Sequence, residues 1–231
     1  MSRRVKGRFL VLDGTDGCGK TTQIHLLQNV FENRGFSTVE TRDPGGTEIG
    51  EQIRRLLKYD AKGKMDVRTE LMLFMASRAQ LAVEVIRPAL EEGKIVLCDR
   101  FVSSSCAYQG AGGYPPKKIL SLARYAIGKT WPDLTIILDL PVEEGQQRIG
   151  RRKNQISFLA SDAMADRFDS RTLEYHQKVR NGFLALPDYY PAPVVVLETA
   201  GLSAEQVHQR ITALLEERKW FDADANDSQP G

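Results

Sequence analysis

The chain has 231 residues, 42% hydrophobic and 27% charged, a balance that excludes disordered and fibrous classes and suits one globular domain with a sizeable core. Lys and Arg outnumber Asp and Glu by only 32 to 30, so no broad basic field exists to hold a nucleic-acid backbone, and any phosphate site must be local. No uncharged apolar run approaches the ~20 residues of a bilayer span, the short apolar stretch after the basic N-terminus falls short of a secretory core, and three unpaired cysteines, Cys18, Cys98 and Cys106, fit reduced thiols in a cytoplasm.

The first apolar run, Arg8 to Asp13, predicts a buried strand. Glycines follow it, then a helix from Thr21 to Asn33 with Ile24, Leu27 and Phe31 on one face, ended at Gly35. Ser37 to Thr41 is a second strand candidate, broken by Pro44-Gly45-Gly46. Helical spacing returns at Ile49, Ile53, Leu56 and Leu57, and again over Thr69 to Leu90. Further strands are expected at the segment KIVLCD ending in Asp99, at Leu134 to Leu140 and at Val194 to Leu197, with helices ending near Ile149 and starting near Asp166, and a last helix over Ser203 to Lys219.

Apolar strands separated by helices require crossover connections. The fold expected is α/β: a doubly wound parallel sheet with helices on both faces, forming a single domain over residues 1–220. Residues 221–231 are acidic and small, which predicts a frayed tail.

Gly14-Thr15-Asp16-Gly17-Cys18-Gly19-Lys20-Thr21 fits the pattern G-x-x-x-x-G-K-[ST] and stands between a strand and a helix, where that motif belongs. Backbone N–H groups and the helix N-terminus are suited to cradle phosphates, Lys20 to reach the β- and γ-phosphates, and Thr21 to meet magnesium. Thr22 continues the helix. The motif predicts nucleoside triphosphate binding, and kinases, GTPases and ATPase motors all share it. Cys18, at a helix start, is a position where a thiolate would be favoured and oxidation would block the nucleotide.

Asp99-Arg100 stands at the carboxyl end of a strand, the edge where open α/β sheets bind ligands. Asp99 is a candidate for magnesium, and Arg100 offers a planar fork for a second phosphate. Arg42 arrives at the same edge after the second strand. Phe74 and Arg78, four apart on one helical face, are placed to stack on and hydrogen-bond a base.

In their order, DGTDGCGKTTQ, TRDPGGT, LMLFMASRAQL, DRFVSSSCAYQG, PDLTIILDLPVEEG and DRFDSRTLEYHQKVRNGFLAL resemble the motifs of the thymidylate kinase family of nucleoside monophosphate kinases, over nearly the whole chain. The resemblance implies a P-loop kinase fold with a lid, over about residues 150–166, and phosphorylation of dTMP to dTDP by ATP with Mg2+, feeding dTTP synthesis. It implies ATP and magnesium at Lys20 and Thr21, Asp16 near the acceptor sugar and phosphate, and the acceptor phosphate on Arg42 and Arg100. Phe74 would stack on thymine and Arg78 would bond its exocyclic oxygen. Ser105 would sit beside ring N3, Tyr108 would crowd the sugar 2′ position, and Gln109 belongs to the same acceptor set. A homodimer is implied as well.

The phosphate loop carries no arginine, which resembles the family class whose catalytic arginine comes from the lid. Arg151, Arg152 and Arg167 are the candidates, within a basic stretch that also holds Arg148 and Lys153 and is longer than the usual lid. Asp43 stands where the family more often has Glu, and Phe101 where it has Tyr or His. Two other readings remain open at this point. One is a kinase for another monophosphate, such as dUMP or dCMP; the other is a nucleotide-binding switch, for which a second arginine site has no use.

Overall fold

The computed structural model describes residues 7–60, 65–157 and 172–222, and only the backbone of residues 59–60 and 151–157. Five parallel strands run β1 Arg8–Asp13, β2 Thr38–Arg42, β3 Ile95–Asp99, β4 Leu134–Asp139 and β5 Val194–Glu198, in the spatial order β2-β3-β1-β4-β5. Successive strands fall on either side of β1, so its carboxyl end is the point where the winding reverses and a crevice opens.

Alternation along β1 divides the core. Phe9 and Val11 face one layer and Leu10 and Leu12 the other, all fully or almost fully buried. The first layer is covered by α3 Val67–Leu81, α4 Arg87–Glu91, α5 Val102–Ala111, α6 Pro116–Ile127 and α8 Leu173–Leu184. On the second lie α1 Lys20–Asn33 and α9 Ala204–Glu217, joined through Leu27, Phe31, Ile211 and Leu215. Burying each such side chain stabilises the fold by about 1.5–3 kcal/mol before entropy is counted.

Helix starts follow local chemistry. Thr47 caps α2 Glu48–Arg55, Asp66 caps α3, Thr172 caps α8, and Ser203 with Gln206 forms a reciprocal capping box on α9. The single helix expected over Thr69 to Leu90 starts earlier, at Val67, and widens into a π turn at Ala82–Ile86 before α4. Pro88 explains the widening: it has no N–H for the Glu84 carbonyl one turn back, and the wider turn absorbs the loss. A second π turn, Leu56–Asp60, extends α2 and delivers Leu57 to the interior.

Further boundaries differ from the sequence reading: the helix expected to start near Asp166 is α8, capped by Thr172 and starting at Leu173. Helix α7 Val142–Ser157 continues past Ile149, so the segment read as the start of a lid is helical to Ser157. The terminus is held further than expected: the Phe221 ring lies 5.0 Å from that of Phe31, and the Arg34 guanidinium sits 3.8 Å over Phe221. The rest of the expected lid and tail lies outside the described residues. Among the described residues no helix is long and apolar enough to cross a membrane.

Candidate active site

Strand register assembles the site. Leu12 on β1 and Arg42 on β2 both pair with Asp99 on β3, so the phosphate loop, the Arg42 loop and the Asp99-Arg100 segment leave the sheet side by side. A cavity of about 630 Å³ opens above them, walled on its other sides by α3, α5 and the α2 extension.

The phosphate loop has the geometry its sequence predicts. Helix α1 begins after Gly19, in the left-handed region at φ 97°, with no side-chain cap and no acidic residue in its first turn. Its first N–H groups are therefore left for an anion. Gly17 (φ 80°) lies so close to Gly145 at the start of α7 that a Cβ on Gly17 would stand 2.5 Å from the Gly145 carbonyl oxygen. Lys20 Nζ donates to the carbonyls of Gly14 (3.3 Å) and Thr15 (3.0 Å), curling back over the loop. Thr21 Oγ1 donates to Asp99 Oδ2 at 2.9 Å, so the two candidate magnesium ligands are in contact.

Cys18 departs from expectation. It is 2% exposed, and burial pushes its thiol up, outweighing the opposing pull of Lys20 and Arg100. The helix start does not favour a thiolate here because the sulfur has no water to solvate its charge. All three cysteines are free and buried.

Arg100 is the hub of the second site. Its φ of 69° is a left-handed conformation that costs a non-glycine residue about 1–2 kcal/mol. The surroundings hold it there: Nη1 donates to Gly14 O (2.9 Å), Ser104 Oγ (3.0 Å) and Asp13 Oδ1 (3.1 Å), and Nη2 to Asp16 Oδ1 (2.5 Å). Burial works against the guanidinium charge, but Tyr108, Asp16, Asp13 and Asp99 more than offset it and raise its pKa further. Asp16 also accepts from Tyr108 Oη at 2.9 Å. Burial alone would raise its carboxyl, yet Arg100, Lys20 and Tyr108 together bring it down to about 2.

The base-binding candidates line the far end. Phe74, Ser105, Tyr108 and Gln109 border the cavity, as do Thr22, Arg42 and Asp99 nearer the loop. Arg42 pairs with Glu51 at 3.0 Å and stays half exposed. Arg78 is placed differently from a simple ligand. Its side chain has no solvent-exposed surface; Nε donates to Asp43 (2.6 Å), Nη1 to Ser105 Oγ (2.8 Å) and Nη2 to the Phe101 carbonyl (2.9 Å). Its guanidinium lies 5.4 Å from the Phe74 ring centre.

Several lining residues escaped the sequence reading. Leu57, Arg54 and Lys58 border the cavity from the α2 side, and Arg148 from α7, paired with Glu144 at 2.6 Å. Buried Asp13 accepts from Ser103, Ser104 and Arg100 and ties the end of β1 to the start of α5. Nothing in the local pattern separates Asp13 from an ordinary strand end. Of the arginines expected to close the site, Arg167 and the side chains of Arg151 and Arg152 lie outside the described residues.

A parallel sheet that reverses at its phosphate loop, with a second arginine site facing that loop, defines a P-loop nucleoside monophosphate kinase. Comparison with known proteins narrows this. A family model described as thymidylate kinase matches residues 12–211. A thymidylate kinase of Desulfovibrio desulfuricans is 42% identical over 193 residues, 83% of this chain and 88% of that protein. One of Symbiobacterium thermophilum is 44% identical over 210 residues, 90% and 92% of the two chains. The crystal structure of thymidylate kinase from Ehrlichia chaffeensis superposes with a TM-score of 0.70 at 31% identity, covering 91% of this chain and 99% of the other. The chain belongs to the thymidylate kinase family.

Proposed function

We propose that Lys20, Thr21 and Asp99 serve the ATP end, and Arg42, Arg100, Phe74 and Gln109 the dTMP end, of one cavity across which this chain phosphorylates dTMP to dTDP. The reaction is that of the family: ATP donates its γ-phosphoryl group, and the product feeds dTTP synthesis. One observation carries the assignment of residues. Lys20 Nζ and Arg100 Nη1 both bond the Gly14 carbonyl, at 3.3 and 2.9 Å. Cations for two different phosphates are pinned to a single peptide group, which brings donor and acceptor within reach of direct transfer.

The residues present fit magnesium. Thr21 and Asp99 are adjacent oxygen donors at the cavity's edge, and no cluster of three or more ligating side chains stands elsewhere among the described residues. Mg2+ is commonly held by one or two protein oxygens together with substrate phosphates. When bound it would neutralise charge on the phosphates between the two sites. The uncapped start of α1 accounts for the donor phosphates in the same way.

Asp16 aligns Arg100 for the acceptor phosphate, and Tyr108, bonded to Asp16, stands against the sugar. Phe74 gives the base its stacking face. Arg151, Arg152 and Arg167, in the basic stretch at about residues 150–166, remain the proposed source of the closing charge. The apolar face of α3 and its π turn leaves Met72 and Val83 more than half exposed, which supports a homodimer through this face. A single domain that ends with Phe221 packed against Phe31, a tail beyond it, and a cytoplasmic setting complete the proposal.

A coupled ADP-release assay with ATP, Mg2+ and each of dTMP, dUMP, dCMP, dAMP and dGMP tests it. ADP release that depends on dTMP is the expected result. Release at the same rate without any acceptor would overturn it.

A further inference from the structure

Glu70 lies on α3 and is 2% exposed. Gln109 on α5, 1% exposed, donates from Nε2 to Glu70 Oε1 at 2.7 Å. A carboxylate only accepts, whereas an amide has one donating and one accepting end. With Nε2 turned to Glu70, Oε1 is held facing the other way. That oxygen is buried and accepts no hydrogen bond from any described residue, while Gln109 forms part of the cavity wall with Phe74 and Ser105. On the same wall, Ser105 Oγ already accepts from Arg78, which leaves its own hydrogen to donate.

A buried acceptor without a partner penalises the empty wall and any ligand that presents no donor to it. We propose that Glu70 is a positioning residue for base choice: by fixing the Gln109 amide it presents a carbonyl oxygen that requires an N–H on the ring edge. Thymine and uracil carry that imide N–H at N3; a ring whose N3 is a bare acceptor or an anion meets the carbonyl with the wrong sign. The inference rests on the reading of this cavity as the dTMP site.

The same logic predicts what removing the constraint does. In Glu70→Gln the new amide can accept from or donate to Gln109, so both orientations of the pair become available. The ring then meets an amide that no longer has a fixed hand.

The test uses dTMP and 5-fluoro-dUMP, whose fluorine makes the N3–H more acidic, across neutral to mildly alkaline pH. With the natural chain, kcat/KM for 5-fluoro-dUMP relative to dTMP should fall as the ring ionises. In Glu70→Gln the KM for dTMP should rise ~10-fold with kcat nearly unchanged, and that alkaline fall should flatten. A double variant, Glu70→Gln with Gln109→Glu, places an acceptor-only group at the wall again and should restore the fall. A natural chain that phosphorylates dTMP yet keeps full relative activity on the ionised ring would overturn the inference and leave the kinase reading standing. So would a folded Glu70→Gln, checked by its melting temperature, with natural KM and pH profile. No turnover of dTMP by the natural chain would instead sink the kinase reading itself.

Discussion

Asp43 Oδ2 and Arg78 Nε lie 2.6 Å apart with neither side chain exposed to solvent. Such a pair is hard to lose by halves. Removing one partner leaves the other charge buried and unpaired, at about 3–5 kcal/mol. Asp43→Ala should therefore lower unfolding free energy by about that much in urea, and raise the KM for dTMP as Arg78 loses its anchor beside Ser105. Asp43→Asn, which keeps an acceptor near Nε, should fall between Asp43→Ala and the natural chain.

Arg100 combines a strained backbone with a full set of hydrogen bonds. Arg100→Ala should reduce kcat/KM for dTMP by on the order of 10²–10³, through loss of a preorganised cation. Arg100→Gly removes the same guanidinium but relieves the left-handed φ, so it should be more stable than the alanine variant by about 1 kcal/mol. Denaturation of the two variants side by side separates the electrostatic loss from the backbone effect.

Asp16 gives acid stability a definite sign. Its carboxyl titrates at about 2 in the folded chain against about 3.9 for an ordinary aspartate. Its contribution is therefore present above about pH 4 and lost as pH falls toward about pH 2. Asp16→Asn should flatten the decline in melting temperature across that window and leave it unchanged near neutrality apart from a constant offset. With a third of the side chain exposed, solvent screening keeps the effect small.

Gly17 and Gly145 place the phosphate loop and α7 in backbone contact. A Cβ on Gly145 would stand 2.6 Å from the Asp16 carbonyl oxygen. Gly145→Ala should force the loop and helix apart, destabilise the fold by about 1–3 kcal/mol, and raise the KM for ATP more than that for dTMP. ATP and dTMP saturation curves for the variant provide the check.

Tyr108 is held by its bond to Asp16 and by edge-on packing against Phe183 at 6.0 Å. Truncation to alanine opens space in the cavity wall, where the proposed dTMP site has its sugar. Tyr108→Ala should increase turnover of ribothymidine monophosphate relative to dTMP, whereas Tyr108→Phe should leave that ratio close to natural. Competition assays with the two nucleotides measure it.

Much of this protein is written in short-range pattern. Runs such as RFLVLD and LTIILDL, short, apolar and bounded by turn residues, read as strands covered on both faces, and the glycines, Lys20 and Thr21 that follow the first of them fit a phosphate loop by spacing alone. Asp99 and Arg100, at the end of another such run, fall at the ligand-binding edge for the same reason. Position relative to a strand is enough because a parallel sheet sends all its carboxyl ends to one side.

Tertiary structure decided which way the polar groups face and what they are bonded to. Phe74 and Arg78 share a helical face in sequence, yet Arg78 is drawn wholly inside by Asp43 and Phe101, from two other elements. Cys18 stands at a helix start but is buried, and burial reverses its chemistry. Gln109 is an ordinary helical glutamine until Glu70, on another helix, fixes its amide. The individual strands and the phosphate loop depend on neighbours a few residues apart, and so the sequence alone determined them; strand order, amide orientation, thiol pKa and ion pairing depend on groups brought together from distant segments, and only the fold brings them together.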